Sequence, residues 1–129
     1  MSGIGKRFID AGYKEPKPLI EIEGKPIIEH VCDLFPGETK FTFICNATHL
    51  AETNMRKILL NIKPNATIVE IPNHKKGPVY AVYLMEQMIE DDEEVIVNYC
   101  DFGTYWDYKD FLKHTRNRDA DGAVPSYKV

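Results

Sequence analysis

Strand-type and helix-type segments take turns along this chain, and that alternation constrains its fold more than any other feature. Leu19-Ile-Glu-Ile-Glu23 alternates apolar and acidic residues, as a short half-buried strand or an extended arm does. Gly24 breaks it, and Pro26 suits the first position of a helix. Ile27, Val31 and Leu34 keep a helical spacing, with Ile28 and Phe35 beside them, and predict an amphipathic helix ending before Pro36-Gly37. Lys40 to Cys45 is rich in strand formers. Met55, Ile58, Leu59 and Ile62 predict a second helix, stopped by Pro64, and Ala66 to Ile71 a further strand. A third helix opens at Pro78. Ala81, Leu84, Met85 and Met88 mark one face, while Val79, Tyr80, Val82 and Tyr83 predict burial on other sides too. Glu90 to Glu94 reads as a solvated acidic loop, and Val95-Ile-Val97 as a buried parallel strand. Tyr108, Phe111 and Leu112 share a face of a short helix that Asp107 caps, and residues 121–125 read as a last strand. The pattern predicts an α/β fold, with a mainly parallel sheet and helices on both faces. No repeat or linker divides it, so residues 1–129 are read as one domain.

Composition limits the partners. The 129 residues are 43% hydrophobic and 28% charged, which is ordinary for a globular domain with a real core. A net charge of −4 gives no general attraction to nucleic acid or anionic lipid, so neither nucleic acid nor membrane is an expected partner. No apolar run reaches transmembrane length and no signal peptide is visible. Three widely spaced cysteines, Cys32, Cys45 and Cys100, read as reduced thiols of a cytoplasmic protein. The four histidines form no close pair, so a zinc site is not expected. Nothing in the sequence fixes an oligomeric state.

Chemistry concentrates in the opening stretch. Gly3 and Gly5 leave backbone without Cβ atoms, whose N–H groups can approach an anion closely. Lys6 and Arg7 add positive charge, Arg7 as a fork and Lys6 as a point. Lys17 stands between Pro16 and Pro18, which predicts a stiff, extended backbone under it. Taken singly, these are a turn, a solvated pair and a loop. Two specific motifs are excluded. The dinucleotide fingerprint needs a glycine where Phe8 stands, and a P-loop needs Ser or Thr where Arg7 stands.

Two later loops carry further candidates. In a parallel α/β sheet, ligands bind beyond the carboxyl ends of the strands. The 72–77 loop holds Lys75 and Lys76, and its Gly77 meets a helix start, where free N–H groups favour an anion or a base edge. Asp101 directly follows the apolar run, where a carboxylate can hold Mg²⁺ with substrate phosphates. Their plain alternatives are a basic surface loop and an aspartate opening a turn. Asp119-Ala-Asp121 copies the Asp-x-Asp metal motif of glycosyltransferases, but follows a polar helix exit instead of an apolar strand.

Three linked blocks are more specific than their parts: Gly3-x-Gly5-x-Arg7-Phe8, then Pro16-Lys17-Pro18-Leu19, then Gly24-Lys25-Pro26-Ile27. Together they resemble the opening of the sugar-phosphate nucleotidyltransferases, which join a nucleoside triphosphate to a phosphate monoester and release pyrophosphate. The resemblance implies a Rossmann-like, nucleotide-diphospho-sugar transferase fold. It implies that Gly3, Gly5, Lys6 and Arg7 hold the triphosphate, and that Lys17 holds the acceptor phosphate or the α-phosphate. Gly77, Pro78 and Ala81 would lie against the base, although the glutamine that often reads the base there is absent. Asp101 would be the magnesium ligand. Phe102 to Asp110 is similar to members linked to capsule and surface polysaccharide synthesis, with Trp106 and the tyrosines lining an acceptor pocket or packing the core. The expected partners are a nucleoside triphosphate, with cytidine and uridine favoured, and a phosphorylated small-molecule acceptor. A phosphate monoester is already ionised near neutral pH, so no general base is required. The resemblance also implies an incomplete domain, matching roughly the first half of such enzymes, without the strand that carries the glycine loop and poorly active alone. The competing readings are a non-catalytic nucleotide-binding module or inactive fragment, and more distantly a glycosyltransferase.

Overall fold

The computed structural model describes residues 1, 10–126 and 128. Gly3, Gly5, Lys6 and Arg7 lie outside the described residues, and with them the phosphate loop expected there. The centre is a parallel pair of strands, which we label β3 (Thr42–Asn46) and β4 (Thr67–Ile71), in register from Thr42↔Thr67 to Asn46↔Ile71. Both are rich in β-branched and aromatic residues, which suit a pleated, half-buried surface. Two helices join them, α2 (Ala47–Glu52) and α3 (Met55–Ile62). In α3, Met55 and Leu59 stand one turn apart, and both are fully buried in one cluster with Phe43 and Cys45 of β3. Each such side chain contributes roughly 1.5–3 kcal/mol by leaving water. Pro64 ends the helix as expected, just after Lys63 N–H donates to the Leu59 carbonyl at 2.9 Å.

Before the central pair, Glu21–Ile22 (β1) and Lys25–Pro26 (β2) form a small antiparallel hairpin, not a single arm. Glu23 and Gly24, with φ of 53° and 79°, make its two-residue turn, the left-handed geometry that tight hairpins need. Pro26 therefore ends β2 and caps the next helix, α1 (Ile27–Cys32). The buried stripe of α1 is Ile28, Val31 and Cys32, continued by Phe35 beyond the helix. The Ile28 and Phe35 side of the expected face is therefore the buried one, while Ile27 and Leu34 are only partly covered.

The last helix, α5 (Tyr108–Asn117), is capped as predicted: Asp110 N–H donates to Asp107 Oδ1 at 2.9 Å. Tyr108 is buried edge-on against Phe35, with ring centroids 5.5 Å apart, and its hydroxyl donates to Glu38 Oε1 at 2.7 Å. Trp106 packs edge-on to the same phenylalanine and donates its indole N–H to the Leu34 carbonyl at 3.1 Å. The C-terminal helix is thereby pinned to the end of α1.

Three further expectations fail. The helix at Pro78, α4 (Pro78–Tyr83), is six residues long and buries Ala81, while Val79 and Tyr83 are 79% and 64% exposed. A short 3₁₀ turn at Glu86–Met88 follows it. Val95, Ile96 and Val97 form no strand and are exposed, as are residues 121–125. The helix α2 was not foreseen. A buried parallel strand needs a ladder beside it, and among the described residues the only ladders are β1–β2 and β3–β4. The 93–100 segment nonetheless tracks β3. Glu93 pairs with Lys40 just before β3, and Cys100 lies within electrostatic reach of Cys45 near its end. The α/β class holds, with the Rossmann-like parallel pair at its centre.

Candidate functional site

The carboxyl ends of β3 and β4 set the site. Asn46 closes β3 and caps α2. Its side-chain oxygen accepts from His49 N–H at 2.7 Å, which turns its amide nitrogen toward His49 Nδ1 at 3.1 Å. Among the described residues Asn46 is the one buried polar side chain, and this network satisfies it. Burial holds the His49 imidazole below its usual value, so the neutral ring that can accept at Nδ1 is favoured. Beside it, Thr48 Oγ1 accepts from Asn73 Nδ2 at 2.6 Å. The loop after β4 is thus tied to the helix after β3. Sequence reading missed Asn46, Thr48, His49 and Asn73. The available signal was an asparagine at the end of a strand, a strong helix N-cap, directly before Ala47.

The 72–77 loop ends at a helix start, in a backbone conformation that favours glycine. Gly77 has φ 85° and ψ 173°, a region that other residues essentially do not occupy, and Pro78 follows at the first helical position. Lys76 lies over the Tyr80 ring at 4.4 Å, and the His74 ring meets Tyr80 edge-on at 5.0 Å. Pro78 is exposed and Ala81 is buried, so Ala81 packs the helix down and the Gly77–Pro78 backbone remains at the surface.

Lys17 sits in a short 3₁₀ turn, Lys17–Leu19, and not in extended backbone. Leu19, 2% exposed, roots the turn in the core, and its N–H donates to the Pro16 carbonyl at 2.8 Å. The flanking prolines still restrict the backbone, but the buried leucine decides its shape. From this base the Lys17 ammonium forms an ion pair with Asp101 Oδ2, with the two side chains 35% and 28% exposed. Two residues singled out in distant parts of the sequence, for a phosphate and for a metal, meet in one place. Asp101 follows Cys100, whose thiol is held above its usual value by burial against the same core.

A cleft of about 310 Å³ opens beside Asp101, lined by Ile22, Glu23, Ile27, His30, Val31 and Gly103. Its wall is fixed by His30 Nε2, which lies 2.8 Å from the Ile22 carbonyl and ties α1 to the hairpin. Trp106 and Tyr105 line a separate groove on the other side of α1's exit, with Asp33 and Asp107. Among the described residues, no three His, Cys, Asp or Glu side chains converge to cage a metal. A lone, partly exposed carboxylate does fit Mg²⁺, which commonly takes one or two carboxylates and completes its shell with substrate oxygens and water. Asp119 has a left-handed backbone at the exit of α5, away from any strand.

A parallel strand pair flanked by helices, with a glycine-opened helix after its second strand, is the arrangement of a Rossmann-like domain. Residues 2–129 match the MobA-like NTP transferase domain, and the chain belongs to that family. No curated protein and no solved structure gives a significant match. Its substrate class is a nucleoside triphosphate. Among the described residues no helix is long and apolar enough to cross a membrane.

Proposed function

We propose that the protein is a cytoplasmic nucleotidyltransferase that moves a nucleoside monophosphate from CTP or UTP to a sugar phosphate or similar phosphate monoester, releasing pyrophosphate, in surface polysaccharide synthesis. The observation that carries this reading is the ion pair between Lys17 and Asp101. In this reading a phosphate-binding cation and a metal-binding carboxylate stand side by side, as transfer between two anions requires. Residues 1–129 act here as one nucleotidyltransferase-like unit.

In this reading Gly3, Gly5, Lys6 and Arg7 cradle the triphosphate, and the Gly77–Pro78 backbone, braced by Ala81, lies along the base. Asp101 would hold Mg²⁺, which would supply neutralisation of charge on the triphosphate. Lys17 orients the acceptor phosphate or the α-phosphate, and the cleft beside Asp101 seats the remainder of the acceptor. The acceptor oxygen attacks the α-phosphorus, the bond to the bridging oxygen breaks, and pyrophosphate leaves with the electron pair. The acceptor is already a dianion near neutral pH, so no side chain has to remove a proton.

The test is pyrophosphate release from a panel of four ribonucleoside triphosphates crossed with sugar phosphates and smaller phosphate monoesters. A signal with a pyrimidine triphosphate and one acceptor class supports the reading. Nucleotide binding without pyrophosphate release from any pair would instead indicate a binding module, and sugar transfer from a nucleotide sugar a glycosyltransferase.

A further inference from the structure

We propose that Lys17 is a latch on Asp101: it occupies the carboxylate while no nucleotide is bound, so that the divalent cation binds together with the triphosphate and not before it. This rests on the reading of Asp101 as the metal-binding carboxylate, and goes beyond it by assigning an order of binding.

Lys17 Nζ contacts the carboxylate oxygen of Asp101 directly. An ammonium seated on that oxygen repels a divalent cation approaching the same carboxylate, so the two compete for Asp101. The latch is well anchored on both sides. Leu19 is buried two residues after the lysine, and Pro16 and Pro18 restrict the backbone around it. Asp101 follows Cys100, which packs against the core. The lysine stem is long and flexible, however, so Nζ can swing while its Cα stays fixed. Among the described residues Asp101 belongs to no larger cluster of metal-ligating side chains, so a bare cation has little to set against the ammonium. A triphosphate changes the balance in two ways. Its oxygens add ligands for the cation, and its charge gives Lys17 a new partner once it leaves the carboxylate. The same displacement that opens Asp101 therefore delivers Lys17 to phosphate.

The experiment measures Mn²⁺ binding alone, by electron paramagnetic resonance and calorimetry, to the parent chain, K17M, K17R and D101N. With the latch removed, K17M should bind Mn²⁺ about tenfold more tightly than the parent, the shift that loss of a partly exposed charge-assisted pair gives. K17R keeps a cation on the carboxylate and should bind Mn²⁺ as weakly as the parent. D101N should lose the site in every background. Circular dichroism melts establish that each variant is folded. Should K17M misfold, slowed solvent exchange of the Lys17 ammonium protons in the parent, sped up by CTP with Mn²⁺ but not by Mn²⁺ alone, reads the same latch by NMR. Equal Mn²⁺ affinity in K17M and the parent, with D101N still losing it, would overturn the latch and leave the metal reading intact. Unchanged binding in D101N would overturn the metal reading itself.

Discussion

Two apolar regions of this molecule meet opposite fates. The β3–α3–β4 unit encloses Phe43, Cys45, Met55 and Leu59, the last two with no exposed surface. The flank from Pro78 to Phe102 is equally apolar in sequence, yet Val79, Tyr83, Met88 and Val97 are each more than half exposed. Apolar content does not separate the two regions, although the flank also carries the acidic run Glu90 to Glu94. What separates them is a partner. β3 and β4 pair with each other along five residues, and α3 covers them. The 93–100 segment is held beside β3 at its ends, by Lys40–Glu93 and by Cys100 against the core, without a ladder between. An apolar run is a licence to be buried, and backbone pairing decides whether the licence is used.

The largest expected difference lies between matched truncations in the two regions. Leu59→Ala should cost about 2–5 kcal/mol of stability, from lost transfer energy and the cavity it leaves. Val97→Ala should stay within about 0.5 kcal/mol, as exposed positions do. Urea denaturation of both variants measures the contrast, and a large loss at Val97 would mean that the flank is packed after all. Gly77→Ala comes next and breaks the simple rule that the flank tolerates change. A Cβ there meets nothing within 4 Å, but φ 85° with ψ 173° strains any other residue by about 1–3 kcal/mol. That loss should appear in the melting temperature without any new cavity.

A smaller loss than at Gly77 is expected at the Tyr108 hydroxyl, where Tyr108→Phe should cost about 0.5–1.5 kcal/mol through the lost bond to Glu38. It also carries a pH signature. Burial, then the Glu38 carboxylate, push the Tyr108 phenol up to about 12. Its folded value thus lies above its unfolded value of about 10. Below pH 10 its contribution is complete, and it is lost as pH rises from 10 to about 12, where the unfolded chain releases the proton first. Chemical denaturation across that range should show a steeper alkaline loss in the parent than in Tyr108→Phe.

Local rules made much of this fold legible. Asp107, Pro64 and Gly77–Pro78 act at their own positions through backbone chemistry, and each does what its residue type requires. The strands at 42–46 and 67–71 were readable because β-branched runs were bounded by clear breakers. Most of the errors involve a partner that one sequence window does not contain. Val95–Val97 lacked a neighbouring ladder, the α4 stripe lacked a covering surface, and Lys17 turned because Leu19 found the core. Helix α2 was lost because its cap, Asn46, was spent on closing a strand. For the candidate site, sequence supplied Lys17 and Asp101 separately, and only their contact in three dimensions joins them.

Lys17 and Asp101 are proposed to serve one nucleotidyl-transfer site. The most direct measurement of that role is the rate of pyrophosphate release by the parent, Lys17→Ala and Asp101→Asn at saturating triphosphate, acceptor and Mg²⁺. Both substitutions leave the core untouched, so the melting temperatures should stay close to the parent's. Each rate should fall about a hundredfold or more, the scale for removing one preorganised charge from a transfer site. Parent-like rates in a folded Asp101→Asn or Lys17→Ala protein would contradict the claim and place the chemistry elsewhere.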